Sequence, residues 1–261
     1  PVSASPFALL ACDVFAEEVA ALAGDPPPWR ASAWLEMGLH DRPARLREAI
    51  QEKVAELEAV PGVERIVLAY GLCGNGLLGI QAGRIPLVMP KADDCVAVLL
   101  GANNRRAELL RERPSRYFYS PGWIRGGRVP GPDREAALRR QYAQRYHDDP
   151  EMVEELLEAD AEAFAHHDTA AYVDLTQNAE AESYCQGCAH HLGWSFQRLR
   201  GDANWLADLL AGTHDDADRF LVVKPGEAIG LNAQGQLIAH GQLNTHGQLD
   251  AHGQLNAQIE R

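Results

Sequence analysis

The sequence predicts an α/β protein with a mainly parallel sheet, helices on both faces, a Rossmann-like arrangement and a low-complexity C-terminal tail. Two observations carry this prediction. Short, almost uninterrupted apolar runs alternate with longer amphipathic runs along most of the 261 residues, which is typical of buried strands joined by crossover helices. Glycine- and proline-rich breaks then separate the runs from one another, as turns do.

The elements follow from these patterns in chain order. The segment 42–57 shows the method: Pro43 lies in the first turn, and leucine, isoleucine and valine recur at the spacing of one helix face. Strands are predicted over residues 7–11, 34–39, 66–69, 86–89, 117–119, 172–175, 195–199 and 219–223. Helices are predicted over residues 14–22, 42–57, 96–100, 105–111, 133–146, 151–166, 179–192 and 205–210.

The chain is predicted to contain one α/β domain over residues 1–229 and a tail over residues 230–261. The tail repeats every six residues as AQGQLI, AHGQLN, THGQLD and AHGQLN. Four such units are too few to stack the coils of a β-helix, and glycine in every unit opposes an α-helix. The polar, low-complexity composition therefore predicts a solvated appendage.

Composition excludes several classes of function. With 37 acidic residues against 24 lysines and arginines, the formal net charge is -13, and such a surface repels phosphate backbones, so we expect no nucleic-acid partner. No apolar run approaches the roughly 20 residues that span a bilayer, so we expect no membrane partner. The first residues lack a basic region typical of secretory signals. Five cysteines in a chain of this length indicate free thiols and a cytoplasmic protein.

Three cysteines follow three of the predicted strands. Cys12, Cys73 and Cys95 end the segments PFALLAC, RIVLAYGLC and IPLVMPKADDC. If the strands are parallel, the thiols emerge at the same edge of the sheet, where open α/β sheets bind ligands. Thiolates are soft ligands for zinc and for iron–sulfur clusters. The alternative is that each cysteine is a small apolar core residue.

Other polar side chains accompany this edge. His40 follows a predicted strand and is a candidate fourth ligand or proton carrier, or else it simply precedes a helix start. Asp93 and Asp94 lie beside the third thiol, where they could orient a ligand, act as a general base or cap the next helix.

The glycine-rich segment 71–79 allows three interpretations. Gly74, Gly76 and Gly79 match G-x-G-x-x-G after a strand, which favours a dinucleotide-binding oxidoreductase. The distance from Gly79 to Pro86 is short for the crossover helix of that fold. The amides of Gly74 and Gly76 could instead approach an anion or a cluster closely. The third interpretation is a tight turn.

A second thiol pair lies at Cys185 and Cys188, in the spacing C-x-x-C. This spacing is compatible with a redox dithiol or half of a zinc site. The pair lies inside a predicted helix without the second half of a zinc ribbon, so packing is the alternative.

The chain carries further sequence blocks in a fixed order: ACDVFAEE, EMGLHDRP, IVLAYGLCGNGLLG, IPLVMPKADDCVAVLLG, YFYSPGW and RFLVVKPGEAI. This series resembles the family of conserved bacterial and archaeal proteins known as the domain of unknown function 1638. The resemblance implies a cytosolic protein with corrinoid methyl-transfer proteins as partners and a role in one-carbon metabolism. Similar members read His-Asp-Cys where this chain has Asp93-Asp94-Cys95, so a carboxylate replaces an imidazole.

The leading hypothesis is a metalloprotein enzyme that uses transferase- or lyase-type chemistry on a small-molecule substrate. Cys12, Cys73 and Cys95 would hold zinc or an iron–sulfur cluster, and Gly74 and Gly76 would contact the cofactor. His40, Asp93 and Asp94 would be the catalytic side chains. The alternatives are a non-catalytic metal carrier or chaperone and a dinucleotide-binding oxidoreductase.

Overall fold

The computed structural model describes residues 6–241. These residues form two compact units, one containing residues 6–103 and 203–241 and the other Asn104–Asp202. The strands are β1 (Phe7–Cys12), β2 (Ala31–Leu35), β3 (Arg65–Ala69), β4 (Leu87–Pro90), β5 (Arg116–Tyr119), β6 (Thr169–Asp174), β7 (Ser195–Arg200), β8 (Phe220–Val223), β9 (Glu227–Leu231) and β10 (Leu237–Gly241). The helices are α1 (Ala16–Ala23), α2 (Pro43–Glu58), α3 (Cys95–Leu100), α4 (Asn103–Glu112), α5 (Pro121–Arg125), α6 (Pro132–Arg145), α7 (Pro150–Glu162), α8 (Ala179–Leu192) and α9 (Asn204–Ala211).

The first unit is built on a five-stranded sheet with the order β2-β1-β3-β4-β8. The first four strands are parallel, and β8 is antiparallel to β4 at one edge. The predicted mixed α/β structure with a mostly parallel sheet is therefore confirmed. Strand β1 is buried along its whole length, as expected for a strand inside a sheet that is covered on both faces.

The strand order places a crevice where the site residues are expected. From β1 the chain moves to β2 on one side, and then returns to add β3 on the other side of β1. The crossover connections therefore diverge at the carboxyl ends of β1 and β3, which is where open α/β sheets bind ligands. Helix α2 supports this arrangement by burying the predicted apolar stripe of Leu46, Ile50, Val54 and Leu57.

The second unit contains a smaller parallel sheet with the order β5-β6-β7. Helix α8 packs on this sheet, and its residues Cys185 and Cys188 join a hydrophobic cluster with Tyr119 and Tyr172. The hydroxyl of Tyr119 donates a hydrogen bond of 2.8 Å to the carbonyl of Pro130. The cluster is therefore apolar, and the buried hydroxyl of Tyr119 has the hydrogen-bond partner that buried polar groups require.

An antiparallel hairpin of β9 and β10 follows the five-stranded sheet. The domain boundary predicted at residue 229 falls inside β9, and the chain has regular structure as far as Gly241. Ile229 accepts a hydrogen bond from the amide of Gly79 and donates one to Ile80, which attaches the hairpin to the glycine-rich segment. The predicted tail beyond Gly241 lies outside the described residues and stays a prediction.

Within residues 6–241, no helix combines the length and the apolar character needed to cross a bilayer.

Candidate functional site

Three cysteines lie at the carboxyl ends of neighbouring parallel strands. Cys12 is the last residue of β1, Cys73 lies in the loop after β3, and Cys95 begins α3 shortly after β4. The order of the strands in the sheet brings these ends side by side. Residues distant in sequence are thus delivered to one edge, as their predicted strand positions implied.

Two loops are held together so that Cys73 lies beside Cys95. The amide of Leu72 donates to the carbonyl of Ala92 at 2.8 Å, and the amide of Cys73 donates to Asp93 at 3.1 Å. A Cβ atom on Gly71 would lie only 2.4 Å from the carbonyl carbon of Asp94. Glycine is required at position 71 because the backbone of the second loop occupies the space of a side chain.

The three thiols contact one another through Cys95. The sulfur atoms of Cys73 and Cys95 are 3.1 Å apart, and the thiol of Cys95 also hydrogen-bonds to Cys12. Cys12 and Cys95 are buried, whereas Cys73 is partly exposed. All three are free thiols, so their sulfurs remain available as ligands or nucleophiles.

The contacts divide the thiols by acidity. The hydrogen bond from Cys95 lowers the pKa of Cys12 against the opposing effect of burial. The pKa of Cys95 is raised well above its ordinary value, first by its hydrogen bonds to Cys12 and Cys73 and then by burial. These contacts thus favour the thiolate form of Cys12 and the protonated form of Cys95.

A small cavity of about 10 Å³ opens among these sulfurs. That volume is close to the smallest that holds one water molecule, so the enclosed part of the cavity accommodates a single atom or ion. Its walls are formed by Cys12, Glu36, Gly38, Leu39, His40, Leu46, Tyr70, Cys73 and Cys95. The structure thus brings four of the sequence-predicted site residues to one cavity.

His40 lies at the exposed end of this cavity. It belongs to a single 3-10 turn, Leu39–Asp41, that follows Gly38 in a left-handed conformation at φ +99°. Its Nε2 atom lies 3.3 Å from a carboxylate oxygen of Asp41, and both side chains are nearly half exposed. This position suits a group that exchanges protons between the cavity and water.

The two adjacent aspartates have other surroundings. Asp94 caps α3, because its carboxylate accepts a 2.9 Å hydrogen bond from the amide of Ala97. The backbone amide of Asp93 donates to the side chain of Asn103 at 2.9 Å. Neither aspartate lines the cavity. The capping role of Asp94, one of the roles considered from the sequence, is thereby present in the structure.

The glycine-rich segment is a series of turns. Cys73, Gly74 and Asn75 are consecutive left-handed residues, with φ values of 48°, 63° and 67°. The amide of Gly76 donates to the carbonyl of Cys73 at 3.2 Å, and that of Gly79 donates to Ile229 at 2.8 Å. The chain has no helix between β3 and β4 in this described region. Gly76 and Gly79 therefore use their amides within the protein.

Tyr70 and Glu36 line the cavity but were missed as site residues from the sequence. Glu36 reads as a surface charge, because nothing in the sequence shows that the chain bends back at Gly38. Tyr70 directly follows β3 at the predicted ligand edge, and that position could have identified it. Tyr70 is only 2% exposed, and its hydroxyl has no hydrogen-bond partner among residues 6–241.

Cys185 and Cys188 differ from the three edge thiols. Both are buried, at 0% and 1% exposure, within the hydrophobic cluster of the second unit. Burial is the main cause that raises the pKa of each thiol. Both thiols pack among apolar and aromatic side chains of this cluster, so this geometry favours the packing alternative for the C-x-x-C pair.

The edge thiols hydrogen-bond to one another and are not spread around a central position. Within residues 6–241, no group of three or more histidine, cysteine, aspartate or glutamate side chains is spaced to hold a metal ion as it stands. Sulfurs around a tetrahedral zinc ion are about 3.8 Å apart, given Zn–S bonds of about 2.3 Å. The Cys73–Cys95 separation of 3.1 Å is shorter than this.

Comparison with known proteins identifies the family. The family described as "Protein of unknown function (DUF1638)" matches residues 34–210, which is more than half of the chain, and the chain belongs to this family. The matched region contains His40, Tyr70, Cys73 and Cys95, whereas Cys12 precedes it. Neither a curated protein nor a solved structure matches the chain.

Proposed function

We propose that this protein is a metalloenzyme in which Cys12, Cys73 and Cys95 hold one zinc ion. The observation that carries the proposal is the contact of three free thiols from three strand ends, with 3.1 Å between the sulfurs of Cys73 and Cys95. Three thiolates are a sufficient protein ligand set for a catalytic zinc site, which keeps one position open.

The dimensions of the site favour a single ion over an iron–sulfur cluster. The sulfurs of Cys73 and Cys95 need to separate by about 0.7 Å from their 3.1 Å contact to reach the spacing of a tetrahedral zinc site. Cysteines on a cubane cluster have sulfurs about 6 to 7 Å apart, which demands a larger rearrangement. The cavity of about 10 Å³ likewise matches one ion.

The protein's own residues would prepare the site for binding. The hydrogen bond from Cys95 favours the thiolate form of Cys12, and all three cysteines would have to be deprotonated to hold the ion. His40 at the exposed end is placed to carry protons released from the thiols to water. When bound, zinc would supply Lewis-acid chemistry to a thiol or carboxylate of a small-molecule substrate.

The class of reaction rests on family resemblance alone. We propose transferase- or lyase-type one-carbon chemistry with corrinoid methyl-transfer proteins as partners, in a reducing compartment such as the cytoplasm, where thiols stay free. Asp93 and Asp94 lie next to Cys95 in the sequence, and from outside the cavity they would orient this ligand or move its proton.

Two alternatives are less well supported. A metal carrier or chaperone needs an exposed thiol site for transfer, whereas Cys12 and Cys95 are 7% and 8% exposed. A dinucleotide-binding oxidoreductase needs a helix N-terminus after the glycine motif, whereas Gly79 bonds to β9. The strand order and its reversal between β1 and β3 do support a Rossmann-like description of the first unit.

The test is the zinc content of single alanine variants of the full chain, purified under reducing conditions. We expect about one zinc per wild-type chain and a loss of most of it in Cys12→Ala, Cys73→Ala and Cys95→Ala. The matched control is Cys185→Ala, a buried thiol outside the site, which should keep the wild-type zinc content. Full zinc retention in the three site variants would contradict the proposal.

A further inference from the structure

The hydroxyl of Tyr70 is a buried polar group without a protein partner. Tyr70 is 2% exposed, lines the thiol cavity, and has no hydrogen-bond partner for its hydroxyl within residues 6–241. Natural proteins satisfy nearly all such groups, because an unpaired buried hydroxyl loses its bonds to water without replacement. An exception at a cavity therefore points to a ligand that completes the pairing.

Other buried tyrosines of the protein follow the usual rule. The hydroxyl of Tyr119 donates to the carbonyl of Pro130 at 2.8 Å, and that of Tyr172 donates to Asn178 at 3.2 Å. Both residues are fully buried. The fold thus provides carbonyl acceptors for buried tyrosines elsewhere, and it provides none for the tyrosine that faces the thiols.

The form of the Tyr70 hydroxyl follows from ordinary phenol chemistry. A tyrosine hydroxyl has a pKa of about 10 in water, and burial raises that of Tyr70 further. The phenol therefore carries its proton at neutral pH and offers an O–H donor to the cavity. A donor in this position stabilises an anion that accepts a hydrogen bond, and it offers less to a ligand without a free acceptor atom.

We propose that Tyr70 binds the exogenous ligand of the thiol site by donating a hydrogen bond to an anionic oxygen or sulfur atom of that ligand. This inference rests on the proposed function, since the open position next to the three cysteines receives the ligand. It assigns the substrate to carboxylates and thiolates as a chemical class. The residue touches the ligand and takes no part in holding the metal.

The first arm of the test uses the metal-free full-length protein. Tyr70→Phe removes an unpaired hydroxyl, so its melting temperature should equal or exceed that of the wild type. Tyr119→Phe removes a hydroxyl that is bonded to Pro130, and its melting temperature should fall. A clear drop for Tyr70→Phe would mean that its hydroxyl already has a partner in the protein, which would overturn the inference.

The second arm measures ligand binding after loading with cobalt(II), whose visible spectrum reports its ligands. Acetate is the acceptor probe, and imidazole is the control because its coordinating nitrogen leaves no acceptor for the phenol. Tyr70→Phe should weaken acetate binding roughly tenfold or more, the usual effect of losing a hydrogen bond to a charged group, and leave imidazole binding unchanged.

The two hypotheses fail in different ways. If the wild type takes up no cobalt(II), the proposed metal site is wrong and the role of Tyr70 falls with it. If the wild type and Tyr70→Phe load equally and bind acetate with the same affinity, the metal site stands and only the role of Tyr70 is refuted. Equal weakening of acetate and imidazole binding would also refute it, because that result indicates a structural effect.

Discussion

At the residue scale, the site depends on one close approach of two backbones. Gly71 allows the loop after β3 to lie against Asp94, and two backbone hydrogen bonds then fix Cys73 beside Cys95. Cys73 itself has a φ of 48°, a left-handed conformation that costs a non-glycine residue about 1–2 kcal/mol. The surrounding loop must hold this conformation, and it is the conformation that directs the chain toward the other thiols.

Gly71→Ala should therefore disrupt the thiol cluster. Its Cβ atom would lie 2.4 Å from the carbonyl carbon of Asp94, so the loops must separate, at a cost of about 1–3 kcal/mol in the free energy of unfolding. Urea unfolding measures that cost, and the rate of modification by a disulfide reagent should rise as Cys95 becomes accessible. The control is Gly24→Ala, which has a positive φ and open space; a modification rate for Gly71→Ala no higher than this control's would contradict the argument.

The acidity of Cys12 should depend on its neighbour. The Cys95 thiol lowers the pKa of Cys12, and burial acts in the opposite direction. In metal-free Cys95→Ala, we expect the first thiolate absorbance to appear at a higher pH than in the wild type, because burial still raises the pKa of Cys12 and the hydrogen bond from Cys95 no longer lowers it. Cys185→Ala should leave this first ionisation in place. An unchanged or lower first midpoint in Cys95→Ala would show that the hydrogen bond does not control Cys12.

At the scale of elements, strongly periodic segments were predictable and long-range pairings were not. Helix α8 has the predicted bounds Ala179–Leu192, and α2 buries the predicted stripe, because local periodicity determines both. Strand β2 was predicted over 34–39, but it covers Ala31–Leu35. It ends early because the chain turns at Gly38 to bring His40 to the cavity, and such a turn depends on contacts that one sequence pattern does not contain.

The hairpin of β9 and β10 is the clearest case of such a contact. Its second strand begins within the first hexapeptide unit, AQGQLI, whose composition predicts a solvated tail. The second strand is ordered instead by its pairing with β9, in which Ile229 is fully buried and hydrogen-bonded to both Gly79 and Ile80. The pairing joins residues far apart in the sequence, so neither the period nor the propensity of the repeat reveals it.

Ile229→Ala should consequently destabilise the protein by about 2–5 kcal/mol, the usual cost of deleting most of a fully buried isoleucine side chain. The free energy of unfolding in urea measures this effect. Val222→Ala is the matched control, because Val222 on the adjacent strand β8 is 41% exposed, and its cost should stay within about 0.5 kcal/mol. Similar costs for both variants would indicate that the hairpin does not pack on the glycine-rich segment as described.

At the scale of the whole molecule, the fold sorts five cysteines into two environments. Three lie at the carboxyl edge of the first unit's sheet, and two lie in the hydrophobic cluster of the second unit. The sequence was sufficient to group the edge thiols, because parallel strands present their ends on the same side. It was insufficient for the unpaired hydroxyl of Tyr70, since the absence of a partner depends on every neighbouring atom.

The buried thiols and tyrosines together predict how the stability of the protein varies with pH. Burial or thiol contacts raise the pKa of several thiols and tyrosines in both units, among them Cys95, Cys185, Cys188, Tyr70 and Tyr119. Their ordinary values are 9.0 for cysteine and 10.0 for tyrosine. Above these values the unfolded chain releases protons that the folded chain retains, so the unfolded state gains stability.

Stability should therefore be fully present below about pH 8 and should fall as the pH rises through about 9 to 10. Cys12, whose pKa is lowered in the folded protein, has the opposite effect on stability, and this single group offsets only a small part of the effect of the others. The net charge of -13 adds to the fall, since each further ionisation increases repulsion within the folded chain.

Urea midpoints at several pH values measure the trend. Cys185→Ala should be less stable at neutral pH but should show a shallower alkaline decline, because one buried acid is gone. A decline equally steep in both proteins would mean that Cys185 does not titrate differently in the folded and unfolded states.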